Sequence, residues 1–193
     1  MNDHIAAVSK TVYTEIRRLK QITNFISWKS SLQKLASSFV LSRLDYCNSL
    51  FSNLPDKDFN KLQKLQNYAA RVILKKTIRE HAKPMLGELH WLPITLRVDY
   101  KICVLIYKCL NGLAPAYLSN LISVYKPTRN LRSSKAFLLT PVSSNFVRLG
   151  DRAFSVYAPK IWKKIPSYIK NAKSLVTFKS KLKTYFLTLK IEF

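Results

Sequence analysis

Lys61, Lys64, Tyr68, Arg71 and Lys75 follow one another at intervals of three, four, three and four residues. At ~100° per residue this period lays all five along one stripe of a helix. Four cations with a ring among them suit one kind of chemistry. The cations neutralise phosphates and release counter-ions, and the ring stacks on a base. The competing reading is a solvated lysine face, common on globular helices. Global charge favours the first reading: 33 Lys and Arg stand against 10 Asp and Glu, a formal +23. Such a chain repels itself unless a polyanion neutralises it, nucleic acid first and an anionic membrane surface second.

Two further basic groups stand out. Lys126, Arg129, Arg132 and Lys135 recur every three residues in a stretch rich in Ser, Thr and Asn. A basic loop of this kind follows a phosphate backbone and orders on contact; equally, it serves as a solvated linker. Lys179, Lys183 and Lys190 line one edge of an apolar helical face near the C-terminal end. They bind phosphate, or lay their stems beside a core or partner surface. A basic amphipathic helix also rests on membranes.

Other chemistries lack their parts. His81 and His90 are nine residues apart and Cys103 and Cys109 six apart, neither a zinc spacing. Two-metal phosphoryl transfer needs clustered carboxylates. The close acid pair Asp56 and Asp58 is better placed to favour a helix start. There is no GxGxxG, P-loop or GxSxG. No cofactor, metal, small-molecule substrate or independent catalytic activity is expected.

The elements that must carry these residues are helical. Ile5, Val8, Val12, Ile16 and Leu19 mark a first helix. Leu32, Leu35, Phe39, Leu41 and Leu44 mark a second, bending near Asp45 and ended by Pro55. A third starts at Asp56, with Phe59, Leu62, Leu65, Ala69, Val72 and Ile73 facing inward, and closes at Lys75 and Lys76. Pro84–Leu89 reads as a short helix, broken by His90–Pro93. Asp99–Leu110 is apolar on nearly every side and so reads as the buried central helix, with Pro93 at its start and Gly112 and Pro115 past its end. Cys109–Tyr125, uncharged, reads as buried loop and helix. Asp151 is placed to cap a helix over Arg152–Tyr157 that Pro159 and Pro166 interrupt, and Ser174 to cap the last helix, whose inner face is Leu175, Phe178, Leu182, Tyr185, Phe186 and Leu189. The fold class is mainly α: an irregular multi-helix bundle around a buried central helix, with a short β-hairpin near 136–149. The expected segments are an N-terminal helical part at 1–125, a basic loop and hairpin at 126–150, and C-terminal helices at 151–193, together one compact unit.

Apolar residues make up 48% of the chain and charged ones 22%, which excludes intrinsic disorder. Three scattered cysteines, Cys47, Cys103 and Cys109, fit a reducing compartment. With neither a signal peptide nor a spanning segment, a soluble intracellular protein is expected. The basic excess grows along the chain. Residues 1–99 carry 16 basic and 8 acidic side chains, whereas 100–193 carry 17 and 2.

Six strings in order add a resemblance. LDYCNSL (Leu44–Leu50), KLQKLQNYAARVI (Lys61–Ile73), ELHWLP (Glu88–Pro93), YKCLNGLAPAYL (Tyr107–Leu118), RAFSVYAPKIWKKIP (Arg152–Pro166) and SLVTFKSKLKTYF (Ser174–Phe186) follow one another. The series resembles the region after the palm domain in non-LTR (LINE) retrotransposon reverse transcriptases of the Jockey and chicken-repeat type, over nearly the whole chain from about Val8. The resemblance implies a polymerase-associated, thumb-like and linker segment. Such a segment holds template RNA, an RNA–DNA hybrid or target DNA by backbone contacts, in cytoplasm and nucleus as a ribonucleoprotein. The family's paired palm aspartates, in a Tyr/Phe-Ala-Asp-Asp motif, are missing here, as is the C-terminal Cys/His knuckle of some relatives. Activity therefore does not transfer. A helical module that docks on the polymerase core is the alternative.

Overall fold

A computed structural model describes residues 2–26, 28–126, 137–146 and 150–191, without the side chains of Asn2, Lys190 and Ile191. The chain is mainly helical and forms two compact units. Unit 1 holds 1–48 and 54–97, unit 2 holds 49–53 and 98–193. These bounds differ from the segments expected at 1–125, 126–150 and 151–193. The stretch at 137–146 has no core of its own: the Phe137 carbonyl accepts the Trp162 indole N–H at 2.8 Å, and Leu139 is buried. It therefore belongs with the helices that follow.

In unit 1, α1 (Asn2–Ile22) buries Ile5, Val12, Ile16 and Leu19 and packs chiefly on α4 (Asp56–Leu74). Between them α2 (Lys29–Ala36) widens into a π-helical turn (Ser37–Leu41) and continues as α3 (Ser42–Asp45). The wide turn corrects one expectation. An extra residue in the turn shifts the helical phase by about 100°. Phe39 is thereby carried outward, half exposed, and Ala36, Val40, Leu41 and Leu44 take the inner face. The bend expected near Asp45 is the end of α3. There the carboxylate accepts the Arg97 Nε–H at 2.8 Å and a second bond from the same guanidinium, the bidentate geometry that makes such pairs strong.

The third predicted helix is α4, with the Asp56 start as expected. Lys75 closes it in the left-handed region (φ 51°), and the Lys76 N–H reaches back to the Arg71 carbonyl at 3.0 Å. The same six-to-one closure ends α5 (Ala82–Glu88): His90 has φ 51° and the Trp91 N–H bonds the Leu86 carbonyl at 2.8 Å. It recurs after α6 (Ile94–Leu110), where Gly112 has φ 69° and the Leu113 N–H bonds the Lys108 carbonyl at 2.8 Å. This is the glycine-capped end that the sequence indicates.

In unit 2, α6 buries Val98, Ile102, Cys103, Val104, Ile106 and Tyr107, as a helix apolar on most sides must. The Tyr107 hydroxyl donates to the Ala172 carbonyl at 2.7 Å, and its ring stacks on Phe178 of α10 (Leu175–Ile191) at 4.3 Å. Trp162 of α8 (Phe154–Lys164) joins them, 6.0 Å from Phe178. Ser174 caps α10 as expected, its Oγ accepting the Thr177 N–H at 3.2 Å.

Four expectations are corrected in this unit. The stretch after α6, including the single turn α7 (Ala116–Ser119), is not buried: Tyr117 is 74% exposed, and Leu113 and Leu121 are exposed with it. A one-turn helix has too little apolar face to cover itself. The hairpin expected at 136–149 is absent among the described residues; 136 and 147–149 lie outside them. Leu139 instead forms an isolated antiparallel bridge with Val124. Thirdly, α8 runs through Pro159 to Lys164. The proline forfeits one backbone bond, which the burial of Val156, Ala158, Ile161 and Trp162 on the same helix offsets. Its N-cap is Ala153, with no side-chain cap; Asp151 lies in a short 3-10 turn (Gly150–Arg152) and pairs with Lys160 at 3.3 Å. The one-turn helix α9 (Ser167–Lys170) completes the described elements.

Candidate nucleic-acid interface

The stripe on α4 is built, but its members differ. Buried Leu62, Gln66, Ala69 and Ile73 hold one side of the helix in the core of unit 1, which turns Lys61 and Lys64 to solvent. Lys61 shares its charge with Asp58 at 3.3 Å. Asp58 is buried at the first turn, where a helix favours an acid. Tyr68 is half-buried and stacks on Tyr13 of α1, ring centroids 6.1 Å apart and planes 27° apart. Arg71 folds inward: Nη2 donates to the Glu80 carbonyl at 3.0 Å, and Nε is buried without a partner among the described residues. Lys75 is exposed and is the residue that closes the helix.

The Tyr13–Tyr68 contact adds a second stripe that sequence reasoning missed. Lys10, Tyr13 and Arg17 of α1 are spaced three and four, and all three are exposed. Residues one turn apart on a face are neighbours. Lys10 and Arg17 therefore flank Tyr13 as Lys64 and Arg71 flank Tyr68, with Lys61 one turn further on. The signal was available in the spacing. What was not available was that α1 and α4 bring the two tyrosines together. The result is a basic face with an aromatic pair at its middle, Tyr13 being about half exposed.

The remaining predicted residues fall in unit 2. Lys126 is exposed, one residue past Tyr125, whose N–H bonds the Leu138 carbonyl at 2.9 Å. Arg129, Arg132 and Lys135 lie outside the described residues. Lys179 and Lys183 are exposed on α10, beside the buried Phe178 and Leu182. The side chain of Lys190 is not described.

The buried and half-buried titratable groups of unit 2 are structural in their surroundings. Burial raises the Asp99 carboxyl, against the Tyr157 hydroxyl that donates to it at 2.8 Å and the nearby Lys164 charge. Tyr157 is pushed up by burial and by the same carboxylate. Burial drives the Cys103 thiol well up and lowers the Lys170 ammonium, which lies over the Trp162 ring at 5.6 Å. Among the described residues no group of three or more His, Cys, Asp or Glu is placed to hold a metal ion, and no helix is long and apolar enough to cross a membrane. No known family model, curated protein or solved structure matches the chain.

Proposed function

We propose that this chain is a non-catalytic nucleic-acid-holding segment of a LINE-type RNA-directed DNA polymerase. It grips template RNA, an RNA–DNA hybrid or target DNA through backbone phosphates. The observation that carries the reading is the stacked Tyr13–Tyr68 pair flanked by Lys10, Arg17 and Lys64 and extended by Lys61. Four accessible cations neutralise about four phosphates, for a log–log salt slope of roughly −3.6 on duplex DNA. The six ordered strings from Leu44 to Phe186 supply the family resemblance.

The test is titration of labelled duplex and hybrid at several salt concentrations. Replacing Lys10, Arg17, Lys61 and Lys64 together by Glu is expected to abolish binding while helical content stays. Arg71→Ala is expected to weaken stability rather than the salt slope, since its guanidinium holds the Glu80 carbonyl. Unchanged affinity in the fourfold variant removes this face from the account.

A second reading is favoured by the exposed Leu113, Tyr117 and Leu121. Apolar side chains gathered within nine residues suit docking on a polymerase core. Self-association that persists in high salt, where phosphate-type attraction is screened, supports it. A clean monomer there argues against it.

A further inference from the structure

Unit 2 contains a half-open cavity of about 380 Å³ that none of the basic stripes uses. Tyr125, Pro141, Val142 and Pro159 are among its walls, and Lys160 and Lys163 of α8 line it as well. We infer that it receives an unstacked base of a single-stranded nucleic acid, with the neighbouring phosphates held by the two lysines. The inference rests on the nucleic-acid reading above and names the strandedness that reading leaves open.

Size comes first. The volume lies near the small end of ligand cavities, suited to a ring system rather than a long chain. The chemistry of the walls follows. The phenol ring offers a π-face on which any base stacks, and the two saturated proline rings add apolar contact on the other walls. Tyr125 is 40% exposed, so part of its surface is open to a partner. Charge is the third point. Lys160 and Lys163 are one helical turn apart and so project as neighbours. Lys163 is exposed, whereas Lys160 leans on Asp151 at 3.3 Å and is only partly neutralised. Lys126, exposed and adjacent in sequence to Tyr125, adds a cation beside that wall. An apolar slot edged by cations complements a base carried on a phosphate chain, and a duplex fills it only at the cost of unpairing and unstacking a base, which a single strand does not bear.

The same slot and cations also match the chemistry of an acyl carboxylate, which the experiment separates. The full chain is titrated with a single strand of about twelve nucleotides, within the site sizes such grooves show. It is also titrated with the abasic strand of equal charge and with a duplex. The base-bearing strand is expected to bind about tenfold tighter than the abasic one. Tyr125→Ala and Val142→Glu are expected to erase that preference, and Tyr125→Phe to keep it, with duplex affinity unmoved in all three. Tyr125 bonds Leu138 through its backbone, and Val142 is 45% exposed, so both changes leave the frame in place.

Equal affinity for abasic and base-bearing strands, with duplex still bound in a salt-dependent way, overturns this inference and leaves the α1–α4 face standing. A base preference that survives both pocket variants overturns it as well. Uptake of a fluorescent fatty acid that Val142→Glu blocks, without base preference, overturns it in favour of a lipid acid. Failure to bind any nucleic acid removes both readings.

Discussion

Gln66, fully buried on α4, donates from Nε2 to the Leu92 carbonyl at 2.8 Å. One turn earlier, Gln63 accepts the Ile94 N–H at 2.9 Å and donates to Gln66 Oε1 at 3.0 Å. Two glutamines of one helix thus satisfy the backbone on either side of Pro93, the Leu92 carbonyl and the Ile94 N–H, where the chain leaves α5 and enters α6. The same two side chains help fix the inner side of α4, and with it the direction in which Lys61 and Lys64 point.

Gln66→Leu is therefore expected to destabilise the protein by about 1–3 kcal/mol, because it strands the Leu92 carbonyl in the interior. Urea unfolding measures it. A variant as stable as the parent would mean that the turn satisfies its carbonyl by other means.

Lys75 closes α4 with φ 51° and ψ 38°. A residue with a Cβ pays for that conformation and glycine does not. Lys75→Gly is expected to raise stability by about 1 kcal/mol. If Lys75 also contacts phosphate, the salt slope on duplex DNA falls by roughly 0.9 in the same variant. Thermal melts read the first effect and binding isotherms the second. A loss of stability in the melts would contradict the strain argument.

The pH dependence of stability carries a signature of Asp99. Burial holds its carboxyl above the ordinary value of 3.8. A group raised in this way adds stability that is full below the unfolded pKa and is lost as pH rises through the folded one. Asp99→Asn removes the titration while an amide oxygen still accepts the Tyr157 hydroxyl. The stability of the parent relative to Asp99→Asn is expected to be greatest in acid and to decline toward neutral pH. Chemical denaturation across that range checks the sign; a difference flat with pH would show that Asp99 titrates as it does in the unfolded chain.

Much of the fold was legible because apolar spacing and end signals act locally. The α4 start at Asp56, the glycine closing α6 and the Ser174 cap each depend on residues within one turn. The misplaced pieces were those in which distant packing overrules a local signal. Pro159 reads as a break, yet Trp162 and its neighbours bury deeply enough to carry the helix through. Phe39 reads as core until the π-helical turn rotates it out. Leu139 reads as half of a local hairpin but bridges Val124.

For the candidate site the boundary runs through single side chains. Sequence alone determined the +23 charge, the helical character and the stripe from Lys61 to Lys75, since composition and period need no partner. Only the tertiary structure decided which cations remain available. Arg71 is drawn inward by the Glu80 carbonyl, and Tyr68 is met by Tyr13, which brings Lys10 and Arg17 beside it. Helical period fixes where a side chain points around its own axis, whereas the neighbour it meets depends on long-range packing that no local spacing records.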